Sequence, residues 1–161
     1  MGREIRQIVR EAVFSDCGYY RYSLSRTWEP DRPKVMFVGL NPSTADAEKD
    51  DPTIRRCMGY ARDWGYGGVL VLNLFAYRAT DPRDLLRARL PVGEKNDHYL
   101  AYSQRGAELV IAAWGNHGTH MNRARMVVPL FKRLYYLRLN ASGEPAHPLY
   151  LPGNLKPRPI D

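Results

Sequence analysis

Three uninterrupted apolar runs organise the chain: Val35–Val38, Val69–Leu72 and Leu109–Ala113. None alternates with polar residues, and each stops at glycine, asparagine or Trp-Gly. Such runs predict strands buried on both faces, as in a parallel sheet. Leu134–Leu139 predicts a fourth strand. Between the strands the apolar spacing becomes helical: Ile54, Cys57, Met58 and Ala61 share one face, Asp51 is placed to cap, and Pro52 suits the first turn. Gly65, Gly67 and Gly68 end that helix. Asp81-Pro82 repeats the cap-plus-proline signature and starts a short helix through about Ala88. Further helices are predicted over Glu94–Arg105 and Thr119–Lys132, the latter shortened or kinked by Pro129.

Upstream, Ile5, Ile8, Val9 and Ala12 predict an amphipathic helix over residues 3–14, and the aromatic stretch Tyr19–Trp28 predicts one or two antiparallel edge strands. The tail from Asn140 is rich in proline and glycine and reads as loop. Strands alternating with helices give the expected fold: one domain spanning 1–161, a three-layer α/β/α sandwich around a central, mainly parallel four-stranded sheet.

Every predicted strand ends in residues able to do chemistry. The first leads into Gly39–Thr44, the second into Asn73, the third into Trp114–His117, and the fourth feeds His147–Leu151. Parallel strands bring such loops to one edge of the sheet, where ligands bind in open α/β folds. Dinucleotide and P-loop fingerprints are absent, as is a nucleophile elbow. His117 and His120 have no carboxylate or cysteine poised to complete a metal site. Cys17 and Cys57 are too few for a disulfide framework or an iron–sulfur cluster. No metal and no cofactor is therefore expected. Amide, imidazole, hydroxyl and aromatic groups remain, which suit reading the edge of a heterocycle and stabilising charge on it.

With 161 residues, 44% hydrophobic and 25% charged, the composition is ordinary for a globular protein. The net charge of +7 points either to a polyanionic partner, nucleic acid first, or to a solvated basic surface that aids solubility. Arg78, Arg83, Arg87, Lys156 and Arg158 are the residues placed to track phosphates. No apolar run approaches the roughly 20 residues needed to span a bilayer. The first residues carry no signal-peptide pattern, and the expected location is cytoplasmic. No obligate protein partner is expected.

Taken together, the four loops resemble the uracil-DNA glycosylase superfamily. Gly39–Ser43 (GLNPS) is similar to its first motif, and Val69–Asn73 (VLVLN) to the strand whose terminal Asn meets the base. Leu109–Gly118 resembles its apolar strand plus Trp-Gly, and His147–Leu151 (HPLYL) its second catalytic motif. GLNPSTAD with DDPTIRR also resembles an uncharacterised family of small bacterial and phage proteins. The superfamily resemblance implies hydrolysis of the N-glycosidic bond of a flipped damaged or modified pyrimidine in DNA. Asn41 would position the water, Asn73 would read the base and His147 would donate to a base carbonyl. Leu151 would wedge into the duplex, while the backbone of Gly39 and Pro42 would shape the pocket.

Ser43 stands where a tyrosine excludes 5-substituted pyrimidines in the uracil-specific branch, implying tolerance for them here. Asn41 stands where the fastest members have aspartate and cannot take a proton, so Asp46, Asp50 or Asp51 would supply the base; Asp46 is the one assigned. Phe75, Trp114, Asn116 and His117 are assigned to substrate binding, with core packing or plain surface exposure as the alternatives. Two other functions stay open: a non-catalytic nucleic-acid or modified-base binding module, and an enzyme on free nucleosides or nucleotides. The central requirement is geometric: Asn41, Asn73 and His147 must line one hollow wide enough for a pyrimidine.

Overall fold

The computed structural model describes residues 7–160 and shows a mixed α/β fold with a single seven-stranded sheet. The strands are β1 (Val9–Phe14), β2 (Arg21–Thr27), β3 (Lys34–Gly39), β4 (Gly68–Asn73), β5 (Leu109–Ala112), β6 (Tyr135–Tyr136) and β7 (Arg158–Pro159). They lie in the order β1-β2-β4-β3-β5-β6-β7. Pairings β4–β3, β3–β5 and β5–β6 are parallel, while β1–β2, β2–β4 and β6–β7 are antiparallel. The sheet is thus larger than the four strands expected and carries antiparallel strands at both margins.

The helices are α1 (Pro52–Asp63), α2 (Pro82–Arg87), α3 (Asn96–Ser103) and α4 (Arg123–Val127). On one face of the sheet, Ile54, Cys57, Met58 and Ala61 of α1 bury against Val35, Phe37, Val69, Val71 and Ile111. On the other, Leu85, Leu100, Ala124 and Val127 cover Met36, Val38, Leu72, Val110 and Ala112. Successive strand residues go to opposite faces, and both faces are covered. That is why the central strands read as unbroken apolar runs. As the sequence predicts, Asp51 caps α1, its Oδ1 accepting from Ile54 N at 2.9 Å, and Asp81 caps α2 by accepting from Arg83 N at 2.9 Å.

The N-terminal prediction is corrected. Residues 9–14 form β1, not a helix, and positions 3–6 of the expected helix lie outside the described residues. The apolar spacing there is helical, with Val9, Ala12 and Val13 at i, i+3 and i+4, and antiparallel pairing of Val9–Phe14 with β2 overrides it. β2 is therefore an interior strand rather than an edge. The helix predicted over Thr119–Lys132 is also corrected to α4 flanked by short 3₁₀ turns at 116–122 and 128–130. Met121 and Asn122 take left-handed conformations (φ 55° and 57°) that break the helix at its start, and Pro129 falls in the turn that ends it. The fourth predicted strand shrinks to the two residues of β6.

The tail packs along α1. Positions 56, 60 and 64, spaced by four, form one stripe of that helix. From this stripe Arg56 donates to the carbonyls of Pro148 and Leu151, Tyr60 Oη to Pro152 O at 2.6 Å and Trp64 Nε1 to Leu155 O at 3.1 Å. No helix among the described residues is long and apolar enough to cross a membrane.

Candidate functional site

β3 and β4 end side by side, with Gly39 directly paired to Asn73. A Cβ at position 39 would sit 2.9 Å from Asn73 Nδ2, so only glycine lets that amide lie across the end of β3. Beneath the amide lies Arg21. Val13 pairs with Ser23 but Phe14 pairs with Arg21, so Tyr22 is an extra residue, a β-bulge in β2. The bulge turns Arg21 to the α1 side of the sheet, the side occupied by Leu24 and Arg26.

Arg21 is 2% exposed. Its Nη1 donates to Ala45 O at 3.0 Å and its Nη2 to Asn73 Oδ1 at 3.3 Å, while Nε is buried with no partner among the described residues. A guanidinium only donates, so Asn73 must turn Oδ1 toward it and leave Nδ2 facing the space beyond. Burial pulls the guanidinium down to about 10, and the Asp51 carboxylate opposes that fall.

Asn41, Asn73 and His147 do line one hollow, together with Arg21, Asp51 and Ser43. Asn41 Nδ2 is spent on the carbonyls of Pro42 and Ala79, at 3.0 and 2.8 Å, so its Oδ1 is the atom left to accept. Ser43 Oγ donates to Thr80 Oγ1 at 3.2 Å. His147 Nδ1 accepts from Leu149 N at 3.2 Å, which places the imidazole proton on Nε2. Burial lowers the His147 pKa, with Asp51 pulling the other way. Gly39 and Pro42 complete the wall, as expected.

The hollow has a volume of about 50 Å³. That is room for roughly three or four waters, far below the roughly 300 Å³ at which ordinary ligand pockets begin. The convergence expected from the sequence is present; the width is not. In this conformation a pyrimidine does not fit.

Several assigned residues lie elsewhere. Asp46 is outside the hollow, where its Oδ1 accepts from Glu48 N and Lys49 N at 2.8 and 2.7 Å, and these bonds hold its carboxyl below the usual range. The carboxylate that does line the hollow is Asp51. Asp46→Ala is accordingly expected to leave any activity of the hollow at the parental level, checked by parallel turnover assays of the two proteins. Phe75 and Trp114 belong to the core on the α3–α4 side, Trp114 donating to Glu144 Oε2 at 2.8 Å. Asn116 is exposed and accepts from Asn140 and Ser142, and His117 is exposed. Leu151 is 6% exposed and packs in the core with α1, so it does not project as a wedge; its neighbour Tyr150, 84% exposed, does. Among the described residues no three His, Cys, Asp or Glu side chains gather as a metal-ligand set.

Sequence reasoning missed Arg21, whose bulge no periodicity reveals. It also missed Arg26, fully buried on the same face. Arg26 pairs with Asp50 at 2.7 Å and donates to Asp46 O at 2.6 Å, Lys49 O at 3.1 Å and Ser25 O at 2.9 Å. It clamps the loop that delivers Asp51 to the hollow.

A family model described as "Protein of unknown function (DUF1643)" matches residues 21–149. The chain belongs to this family. The match begins at Arg21 and ends two residues past His147, so it contains every residue lining the hollow. No curated protein and no solved structure matches the chain.

Proposed function

We propose that the hollow is the catalytic pocket of a DNA glycosylase-like hydrolase that cleaves the N-glycosidic bond of a flipped damaged or modified pyrimidine. The observation that carries this reading is the meeting of Asn41, Asn73 and His147, remote in sequence, beside the Asp51 carboxylate. Asn73 Nδ2 and His147 Nε2–H donate to the base. As the C1′–N bond breaks, its electron pair leaves on the base, where those donors stabilise it. Asn41 Oδ1 holds the water that adds to C1′, and Asp51 faces the developing positive charge and takes the proton the water releases. On this reading the architecture is a three-layer α/β/α sandwich of uracil-DNA glycosylase type. Its centre is β4, β3, β5 and β6, and the other strands are additions at the margins.

Admission of a ring requires the loop 40–44 and the turn 147–150 to part. The test is incubation with oligonucleotides bearing uracil, mismatched thymine or 5-modified pyrimidines, followed by alkali. Strand scission at the base is expected for at least one, and intact strands for all of them remove the catalytic reading. The small volume favours a second reading, a binding module that never opens enough for cleavage. Saturable, salt-sensitive DNA binding without abasic sites would identify it.

His147 gives a pH test. Its neutral form is the one hydrogen-bonded here, and its folded pKa lies below the unfolded value. Between those two values the unfolded chain binds more protons, so stability is lost as pH falls below about 6.5. In His147→Gln that part of the acid destabilisation disappears, which denaturant midpoints at pH 7 and pH 5 measure.

A further inference from the structure

A second and much larger cavity, about 790 Å³, opens across β2 from the hollow. Its walls carry Phe14, Tyr20, Tyr22 and Tyr99, with Arg89 and Lys95 at the rim. Tyr22 and Tyr99 are stacked at 5.1 Å, and Tyr20 Oη donates to Leu90 O at 2.7 Å. Gly93 (φ 90°) lets the loop lie against these rings, since a Cβ there would come within 3.1 Å of Tyr22 and 3.2 Å of Tyr20. Leu90 and Met121, both lining the cavity, are exposed large apolar residues. The size and the aromatic lining are those of a ligand site.

We propose that this cleft is a stacking subsite for an unpaired base of a single-stranded nucleic acid, flanking the nucleotide directed to the hollow. The inference rests on the glycosylase-like reading for that second nucleotide. Three observations select the occupant. Tyr20 and Tyr99 are half-buried in the cleft wall, with Tyr22 buried against Tyr99, and tyrosine faces are what unstacked bases pack on. Arg89 and Lys95 make no ion pair among the described residues, in a chain of net charge +7, and so are available to phosphates. The two sites also lie on either side of one stretch of β2, because Arg21 lines the hollow while its neighbours Tyr20 and Tyr22 line the cleft. Asp16 and Glu94 share the lining, so charge alone binds a backbone weakly here and contact with the rings must supply the affinity. A duplex keeps its bases stacked and offers no ring to the cleft.

Cys17 supplies the test. It is exposed and lines the cleft, whereas Cys57 is buried and burial pushes its thiol up. The Ser15 hydroxyl beside Cys17 holds that thiol below its usual range, so N-phenylmaleimide labels Cys17 selectively. A 12-nucleotide single strand, its duplex, and a strand of abasic spacers are compared by fluorescence anisotropy on the full chain. The expected result is binding of the single strand about tenfold tighter than of the other two, together with slowed labelling of Cys17 by that strand alone. The maleimide adduct loses the preference while its thermal midpoint is unchanged, and maleimide-treated Cys17→Ser keeps it. Equal affinity for strand and duplex, or labelling untouched by a bound strand, overturns the subsite. Abasic sites formed without protection of Cys17 sink the subsite alone; protection without abasic sites sinks the catalytic reading alone.

Discussion

Arg26→Met is expected to lower unfolding stability by about 3 kcal/mol, the low end of the cost of breaking a buried ion pair. The side chain is fully buried, and its strongest bond is to the Asp50 carboxylate. Methionine fills much of the volume but leaves the Asp50 carboxylate only the longer Arg10 contact at 3.8 Å and strips Asp46 O of its donor, while Lys49 O keeps only Asp46 N at 3.0 Å. Leaving buried acceptors unsatisfied costs more than the bonds themselves contributed. Urea denaturation reads the loss. A change below about 1 kcal/mol would mean that the 45–51 loop finds other partners.

Arg21→Met is expected to do the reverse: to leave stability within about 1 kcal/mol of the parent while reducing cleavage about 100-fold. Both arginines lie on one face of β2, yet Arg21 has no ion-pair partner among the described residues, and its Nε is orphaned. A guanidinium held near 10 by burial costs the fold about 3 kcal/mol at neutral pH. That cost is full below pH 10 and fades as pH rises above it, because the unfolded chain then holds the proton the folded chain has released. Removing the charge relieves the cost and offsets the two lost bonds to Ala45 and Asn73. The loss of cleavage comes from Asn73, whose amide is no longer held with Nδ2 toward the base. A destabilising residue kept in a pocket is the signature of function taking precedence over stability. Denaturant titrations with parallel cleavage assays separate the outcomes, and a collapse of the Arg21→Met fold would make Arg21 a structural strut.

These two arginines also mark where the sequence stops being legible. The central strands could be read because both of their faces are covered, which writes them as unbroken apolar runs. Asn41, Asn73 and His147 could be placed together because strand ends in a parallel sheet share an edge. β1 could not, since Val9–Phe14 becomes a strand only through pairing with a distant segment. Arg21 could not, because one extra residue in β2 reverses the alternation on which any facing argument depends. Phe75 lies two residues past Asn73 and still turns into the opposite core, as Trp114 does. Asp46 and Asp51 look interchangeable in the run DAEKDD. Only Asp51 immediately precedes Pro52, so the carboxylate that starts the helix is also the one facing the hollow.

The stripe of Arg56, Tyr60 and Trp64 binds backbone from Pro148 to Leu155 to the flank of α1, although that tail is nearly devoid of regular structure. Segments of this kind ordinarily fray long before the domain melts. Here they are fastened to a helix that is itself fastened to the sheet. The amides of Leu149 and Leu151 should therefore exchange hydrogen for deuterium in step with those of α1, as members of one cooperative unit rather than as a loose end.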